Sequence, residues 1–255
     1  MAANEPGQPA PLTDEVTREL PTPTSALAVG AHPDDVEFGC GGLLAKWAAG
    51  GCIVHHLVCT DGSKGTWDPD ADVVALAARR EEEQREAARR LSGAHAGETR
   101  FLRRADGELV VDVETRGEVA RIIRELRPAV VLGHDPWKRY RLHPDHRNAG
   151  LLVCDAVVAA RDPHFHRDHE LPPHRPDHLL LWEADEPNHV EDVSASVDVK
   201  LFALEAHVSQ FESTMKATST EHLDVFRSSV RERLAGLGEP YGFEAAEVFA
   251  RISDL

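Results

Sequence analysis

The sequence predicts an α/β fold in which a mainly parallel sheet is covered by helices on both faces. Short apolar runs alternate along the chain with amphipathic stripes at helical spacing, which is the pattern of strands joined by crossover helices. Several of these runs lead directly into polar loops, as the central strands of parallel sheets do. The length of 255 residues suits one large α/β domain or two small ones, and we favour a single domain.

The first half of the chain begins with a segment that lacks apolar periodicity. Residues 1–24 are rich in Pro, Thr and Glu, so we expect a flexible lead-in before one folded domain over 25–255. The glycine-rich stretch 39–42 precedes the first helical pattern. The predicted elements are, in order, a strand at 26–31, a helix around 43–47, a strand at 53–60 and a charged helix over 77–91.

The second half continues the same alternation. Val119, Ile122, Ile123 and Leu126 recur at i, i+3, i+4 and i+7, which indicates a helix that ends at Pro128. The elements that follow are a strand at 129–133, a helix opened by residues 143–146, a strand at 179–182, a striped helix over 197–208 and a helix at 223–234.

The charge balance and the cysteines exclude several classes of protein. With 28 Lys+Arg against 44 Asp+Glu, the formal net charge of −16 argues against a nucleic-acid partner. No stretch approaches the roughly 20 apolar residues of a membrane helix, and the N-terminus lacks an apolar signal core. The four cysteines form no CxxC pair, so we expect a cytoplasmic protein without a disulfide framework.

Two pairs of polar residues stand where the loops should line a ligand crevice, beyond the carboxyl ends of the strands. His32 and Asp35 follow the first strand, and His143 and His146 open a helix. Two imidazoles and one carboxylate suit an open zinc site, and His32, Asp35 and one of the two later histidines supply that set. Asp34 then remains free to act as a base.

Each pair is a weak signal by itself. His-x-x-Asp is also a common turn or N-cap arrangement, and His-x-x-His at a helix start is only somewhat more specific. The prediction of a metal site therefore rests on finding both pairs at the mouths of neighbouring strands.

The same residues carry a family resemblance. The run AHPDDVEFGCGG at 31–42, with TDG at 60–62 and HPDH at 143–146, is similar to the LmbE-like (PIG-L) family of zinc-dependent N-deacetylases. The resemblance covers roughly residues 26–210. It implies a Rossmann-like fold and the removal of an acyl group, usually acetyl, from an amino sugar in a small molecule, compatible with thiol-cofactor or natural-product metabolism.

The resemblance also implies roles for individual residues. His32, Asp35 and His146 would bind one Zn²⁺ per chain, Asp34 would be the general base, and His143 would stabilise the oxyanion. We expect Asp145 to orient His143 and keep it protonated, as carboxylates do for catalytic imidazoles.

Arg80 and Asp106 are the predicted substrate-binding residues. Arg80 lies on the apolar stripe of its helix and should point inward, either to pair with Glu83 or, as the family's equivalent arginine does, to contact a sugar hydroxyl. Asp106-Gly107 resembles the family's turn near the sugar pocket, although Asp-Gly is also an ordinary tight turn.

Three further features complete the comparison with the family. HxSQ at 207–210 is similar to a frequent family ending, with an open function and helix capping by His207 as the alternative. Some members carry a tyrosine two residues before the position of His143, where this chain has Arg141, so a tyrosine contribution to the oxyanion is in doubt. The long His- and Pro-rich stretch 162–178 is our candidate for substrate selection.

Two other functions fit the same ligand types. A non-haem iron(II) oxygenase uses two histidines and one carboxylate, and a non-catalytic metal-binding protein could retain the fold. A parallel α/β sheet with the free carboxylate of Asp34 beside the ligands favours hydrolysis over the oxygenase, and the presence of Asp34 and His143 argues against a non-catalytic protein. We therefore expect an N-acylated amino-sugar substrate and neither a nucleic-acid nor a membrane partner, and homo-oligomerisation is compatible with the sequence.

Overall fold

The computed structural model describes residues 16–255, and an eight-stranded sheet forms its centre. The strands are β1 (Thr17–Arg18), β2 (Ser25–Gly30), β3 (Ile53–Thr60), β4 (Ala96–Arg104), β5 (Val130–His134), β6 (His178–Trp182), β7 (His189–Asp192) and β8 (Ala246–Ile252). The helices are α1 (Asp35–Ala49), α2 (Val73–Ser92), α3 (Val113–Leu126), α4 (Pro144–Arg161), α5 (Val197–Leu204) and α6 (Thr220–Gly238).

The strand order is β1-β7-β8-β6-β5-β2-β3-β4, and every neighbouring pair is parallel except those that involve β8. The side chains of β2 alternate between the two faces because the period of a strand is two residues. Ala26 and Ala28 pack with Trp47 on the face covered by α1, whereas Leu27 packs with Ile123 of α3 on the other. The predicted single α/β domain with helices on both faces is confirmed.

Four strands were not predicted from the sequence, and all four lie in the outer parts of the sheet. β4 forms one edge, is nowhere fully buried and carries charged residues, so it lacks a continuous apolar run. β1, β7 and β8 form the other side, where each strand is short or alternates in burial. Apolar periodicity reveals strands that are buried on both faces better than strands at the margins.

A flexible lead-in was expected over residues 1–24, but residues 17–20 make ordered contacts with β7. Residues 1–15 lie outside the described part of the chain, but Thr17 and Arg18 already pair with His189 and Val190 of β7. The backbone N–H of Leu20 also donates to the buried Glu191, at 2.8 Å. Ordered structure therefore begins before Ser25, because backbone pairing requires no apolar pattern in the segment that pairs.

The stretch 162–178 lies at the amino ends of β5 and β6, whereas the polar loops follow the carboxyl ends of the strands. The prediction that this stretch selects substrate is therefore wrong. The stretch connects the end of α4 to the start of β6, and His174 Nε2 lies 2.8 Å from the carbonyl of Pro128, just before β5 begins. The buried Arg124 side chain donates to three backbone carbonyls of the segment, those of Asp162, Phe165 and His166, and to those of Ala159 and Ala160 at the end of α4.

None of the helices within residues 16–255 is both long enough and apolar enough to span a bilayer.

Candidate metal centre and active site

A pocket of about 470 Å³ opens at the carboxyl ends of β2, β3, β5 and β6. In a parallel sheet these ends lie at one edge, which brings loops that are distant in sequence together. Every predicted site residue except Asp145 lines the pocket, and Asp145 lies directly behind His32. The lining residues used below are His32, Asp34, Asp35, Arg80, Asp106, His134, His143, His146, Trp182 and Gln210.

The three predicted metal ligands converge at the floor of this pocket. His32 Nδ1 lies 3.1 Å from His146 Nε2, and His146 Nε2 lies 3.2 Å from Asp35 Oδ1. The remaining pair, His32 Nδ1 and Asp35 Oδ2, is 3.4 Å apart. Donor atoms bound tetrahedrally to one zinc ion at about 2.0–2.1 Å lie about 3.3 Å from one another. His146 Nε2 therefore lies at the donor spacing of a zinc ion from both His32 Nδ1 and Asp35 Oδ1, and a set of two nitrogens and one oxygen suits zinc.

The two oxygens of Asp35 have different partners. Oδ2 accepts a hydrogen bond from the backbone N–H of His32 at 2.8 Å and lies 3.1 Å from His134 Nε2. Oδ1 faces His146. Because two donors hold Oδ2, Oδ1 is the oxygen presented to the ligand cluster, which favours monodentate coordination.

His134 is the site residue that the sequence analysis missed. Its Nδ1 accepts hydrogen bonds from Trp182 Nε1 and from the Arg141 guanidinium, each at 3.0 Å. A neutral imidazole that accepts at Nδ1 carries its proton on Nε2, so His134 donates to Asp35. Burial lowers the pKa of His134 and favours this neutral form. Its position at the end of the third predicted strand, like that of His32 after the first, was the available signal.

The second nitrogen of His32 faces two carboxylates. His32 Nε2 lies 3.2 Å from Asp106 Oδ1 and 3.2 Å from Asp145 Oδ2. Burial lowers the pKa of His32, but hydrogen bonds to Asp106, Asp145 and Asp35 outweigh burial and hold that pKa well above its ordinary value. The same excess of negative charge around one imidazole favours a divalent cation at its Nδ1 side.

The expectation that the Asp145 carboxylate orients His143 is wrong. Besides contacting His32, that carboxylate accepts from the backbone N–H groups of Gly107 (2.6 Å) and Leu109 (3.2 Å). Asp145 reaches His143 through its own backbone N–H, which donates to His143 Nδ1 at 3.3 Å. Burial and the neighbouring imidazoles of His32 and His146 lower the pKa of His143, although the charge of Asp145 raises it. The N-cap geometry at the start of α4 decides this arrangement.

Asp34 occupies a strained backbone position beside the ligand cluster. Its φ of 103° lies in the region that non-glycine residues rarely adopt, and its backbone N–H donates to Gln84 Oε1 at 2.9 Å. Burial raises the pKa of Asp34 to about 6, although the Arg80 guanidinium, with NH2 3.3 Å from Asp34 Oδ2, lowers it. A carboxylate with such a pKa is suited to general base catalysis near neutral pH.

Arg80 points inward as predicted, and its charged partner is Asp34, while Glu83 pairs with Arg79. The guanidinium also donates to the carbonyls of Gly62 (2.8 Å) and Pro33 (2.6 Å). A Cβ atom at Gly65 would lie 2.2 Å from Arg80 NH1, so a larger residue there would displace the guanidinium from its present position. Asp106 is similarly engaged, since its Oδ2 accepts the backbone N–H of Lys64 at 3.0 Å.

The loop before α4 carries Arg141 where some family members have a tyrosine, and Arg141 does not line the pocket. Tyr140 is 86% exposed and does not line the pocket. Arg141 is buried, and its guanidinium bridges His134 and Glu183.

Comparison with known proteins agrees with this geometry. Residues 27–157 match the PIG-L family, described as GlcNAc-PI de-N-acetylase. A diacetylchitobiose deacetylase from Thermococcus kodakarensis is 39% identical over 188 residues, which are 72% of this chain and 69% of the relative. A 1D-myo-inositol 2-acetamido-2-deoxy-alpha-D-glucopyranoside deacetylase from Rhodococcus opacus is 38% identical over 162 residues, and the match spans 54% of this chain and 55% of that relative.

The fold is also found in a solved structure. The N,N'-diacetylchitobiose deacetylase from Pyrococcus horikoshii superposes with a TM-score of 0.81 at 29% identity, covering 91% of this chain and 84% of the other. The family match includes the segments that carry His32, Asp34, Asp35, His143 and His146. From the matched family and the extent of the 39% identical relative, the chain belongs to the PIG-L family.

Proposed function

We propose that this protein is a zinc-dependent N-deacetylase that acts on an N-acetylated amino sugar within a small molecule. The observation that carries this proposal is the convergence of His32, Asp35 and His146 beside the buried carboxylate of Asp34 in one open pocket. The relatives named above are deacetylases of acetylated amino sugars, which supports the same substrate class. A net charge of −16 makes a neutral or cationic substrate more favourable than a polyanion.

We assign the metal to His32, Asp35 and His146. When bound there, zinc supplies Lewis-acid polarisation of an amide carbonyl and lowers the pKa of water. Asp106 and Asp145 hold His32 from behind, and His134 holds Asp35, so that both ligands keep their lone pairs directed at one point.

Asp34 is the proposed general base. It takes a proton from the water that attacks the amide carbon and later returns the proton to the leaving amine nitrogen. Arg80 keeps the carboxylate in place, because its guanidinium touches Asp34 Oδ2 while anchored on two backbone carbonyls. Arg80 and Asp106 remain our candidates for contacts with sugar hydroxyl groups, since both line the pocket.

His143 is the proposed oxyanion donor, and it can act in its neutral form. Its Nδ1 accepts the backbone N–H of Asp145, so a neutral ring carries its proton on Nε2. The His143 and His32 ring centroids are 4.6 Å apart, which places His143 beside the ligand cluster. An N–H donor there is suited to stabilise charge on the carbonyl oxygen as the water adds.

The decisive experiment measures amine release from a panel of N-acylated amino sugars, from free N-acetylglucosamine to disaccharide, inositol-linked and thiol-conjugated forms. Enzyme stripped of metal and reloaded with zinc should release amine. Asp34→Asn should bind zinc normally and lose about 10²–10⁴-fold in kcat, because it cannot take the proton. Equal turnover by Asp34→Asn would remove Asp34 from its role.

A second experiment tests the alternative of an iron(II) oxygenase, with the same enzyme reloaded anaerobically with iron(II) and then exposed to oxygen. Oxygen consumption with a 2-oxo acid, together with no amine release from any panel member, would overturn the hydrolase proposal.

A further inference from the structure

The HxSQ motif at 207–210 connects the chain after α5 to the elements that form the pocket. The backbone N–H and the hydroxyl of Ser209 donate to the Glu83 carboxylate of α2, at 2.9 and 2.6 Å. Gln210 Nε2 donates to the carbonyl of Gly65 at 3.1 Å. His207, fully buried, has its Nε2 3.3 Å from Glu37 Oε2 in α1. His207 thus reaches the helix whose N-cap is Asp34, and helix capping does not account for it.

A continuous chain of buried side chains leads from His207 to the backbone of Asp34. Glu37 Oε1 accepts a hydrogen bond from Gln84 Nε2 at 2.8 Å, and Gln84 Oε1 accepts the backbone N–H of Asp34 at 2.9 Å. His207, Glu37 and Gln84 are each 0% exposed. Water therefore cannot replace any of these partners without rearrangement of the protein.

The hydrogen-bonding groups of these side chains determine which way the Gln84 amide is oriented. A carboxylate only accepts hydrogen bonds, so Glu37 requires the NH₂ group of the Gln84 amide to face it. The carbonyl of the same amide is then directed at Asp34. His56, also fully buried, lies at the same junction, with Nδ1 3.3 Å from Gln84 Nε2 and 3.5 Å from Glu37 Oε1.

Asp34 needs such a support because of its backbone conformation. At φ 103° and ψ −25°, a residue with a Cβ atom is strained, and strain of this kind persists only where surrounding contacts impose it. Within residues 16–255, the Asp34 carboxylate has one hydrogen-bonding side chain, that of Arg80, at 3.3 Å. The hydrogen bond from the Asp34 backbone N–H to Gln84, at 2.9 Å, is thus shorter than the contact between the Asp34 carboxylate and Arg80.

We propose that Gln84, Glu37 and His207 are positioning residues, which hold Asp34 in its left-handed conformation so that its carboxylate faces the reacting centre. This inference rests on the proposed function, in which Asp34 is the general base. The three residues act through the backbone of Asp34 and do not touch the substrate. Misplacement of a reacting group by about 1 Å can cost a factor of about 10² in rate.

The first test removes the carbonyl acceptor and keeps the shape of the side chain. Gln84→Met should lower kcat about 10–100-fold and leave KM within about twofold, because substrate binding does not use this contact. Zinc content should stay at the wild-type level. A crystal structure of Gln84→Met should show Asp34 relaxed to a different φ.

Conservative replacement of Glu37 separates positioning from mere packing. Glu37→Gln can still accept the Gln84 NH₂ group through its amide oxygen, so it should keep kcat within about fivefold of wild type. Glu37→Met cannot accept it, and it should resemble Gln84→Met. His207→Asn, at the far end of the chain, should lower kcat by about 3–10-fold and serves as the second variant if Gln84→Met does not fold.

His189→Asn is the matched control. His189 is also 0% exposed and pairs with a buried glutamate, with Nε2 2.9 Å from Glu191 Oε1, but it lies in β7 and does not line the pocket. It should lose thermal stability and keep kcat, which separates loss of a buried His–Glu contact from loss of positioning.

Two results would overturn the proposal. Wild-type kcat in Gln84→Met and Glu37→Met, or an unchanged Asp34 conformation in the crystal structure of Gln84→Met, would show that the chain does not position the base. Failure of the proposed function is distinguishable, since wild-type enzyme would then release no amine from any panel member. In that case the crystal structure still decides whether Gln84 imposes the conformation of Asp34.

Discussion

At the residue scale, the proposed metal ligands are oriented by the contacts of those polar atoms that do not face the metal position. Besides the backbone N–H of His32, the His134 imidazole holds Asp35 Oδ2, and Trp182 and Arg141 set the tautomer of His134. Gly39 makes this possible, because a Cβ atom there would lie 2.6 Å from the Trp182 ring. These three side chains and Gly39 therefore contribute, with the His32 backbone N–H, to which oxygen of Asp35 faces the proposed metal position.

His134→Phe should weaken zinc binding about 10–100-fold, because Asp35 loses the donor that orients its carboxylate. Competition with a chromophoric chelator measures the affinity without reference to activity. Trp182→Phe is the graded variant, since it removes one of the two donors to His134 Nδ1 and should have a smaller effect. Unchanged affinity in His134→Phe would show that His32 alone suffices to orient Asp35.

At the scale of elements, α1 is broken near the pocket and held together by a buried ion pair. Cys40 has non-helical angles (φ −146°, ψ 18°), so backbone groups on both sides of the break need other partners. Glu247 of β8 accepts the N–H groups of Gly42 (2.9 Å) and Leu43 (2.8 Å). Lys200 of α5 donates to the carbonyl of Phe38 (2.8 Å) and to Glu247 (2.6 Å).

Lys200→Met should lower the free energy of unfolding by about 3–5 kcal/mol, because it leaves Glu247 charged, buried and without its cationic partner. Urea denaturation measures the change. Arg231→Met is the control: Arg231 pairs with Asp198, on the same helix as Lys200, but Asp198 is 81% exposed. That variant should lose less than about 1 kcal/mol. Equal losses in the two variants would contradict a structural role for the buried pair.

At the scale of the whole molecule, one buried carboxylate joins the beginning of the described chain to the sheet and to α1. Glu191 in β7 accepts the backbone N–H of Leu20 (2.8 Å) and the ammonium of Lys46 (2.9 Å), and it lies 2.9 Å from His189 Nε2. Burial raises the pKa of Glu191, but these three partners outweigh burial and hold the pKa below its ordinary value.

This depressed pKa predicts acid sensitivity. A carboxylate with a folded-state pKa below its unfolded value of about 4.3 contributes stability above that value. The contribution is lost as the pH falls through the folded-state pKa. Urea midpoints measured from pH 7 to pH 3 should therefore fall more steeply below about pH 4.3 for wild type than for Glu191→Gln. Parallel curves for the two proteins would contradict the assignment.

The local sequence was sufficient for the central sheet and for most of the catalytic candidates. Strands buried on both faces are mostly apolar, so β2, β3, β5 and β6 could be predicted from their short apolar runs. His32, Asp34 and Asp35 lie within four residues, and His143 and His146 lie within one helical turn. Residues this close in sequence stay close in the folded protein, because a strand end and a first helical turn have fixed geometry.

Tertiary structure alone decided the partners of those residues. Contacts between His134 and Asp35, between Gln84 and Asp34, and between Asp145 and His32 join positions about 50 to 113 apart in sequence. Local spacing carries no information about such distances, so the partner of Asp145 was mistaken and His134 was missed.

The edge strands and the position of segment 162–178 also depend on contacts between distant segments, which local sequence patterns do not predict. By itself, the sequence determined the central parallel strands, the helices that cover them, and the short motifs that carry the proposed metal ligands and the proposed base. Only the tertiary structure decided which oxygen of Asp35 faces outward, what holds Asp34, and which loops reach the pocket. The physical reason is that periodicity and turn chemistry act over a few residues, whereas orientation of a buried polar group depends on donors and acceptors supplied by distant segments.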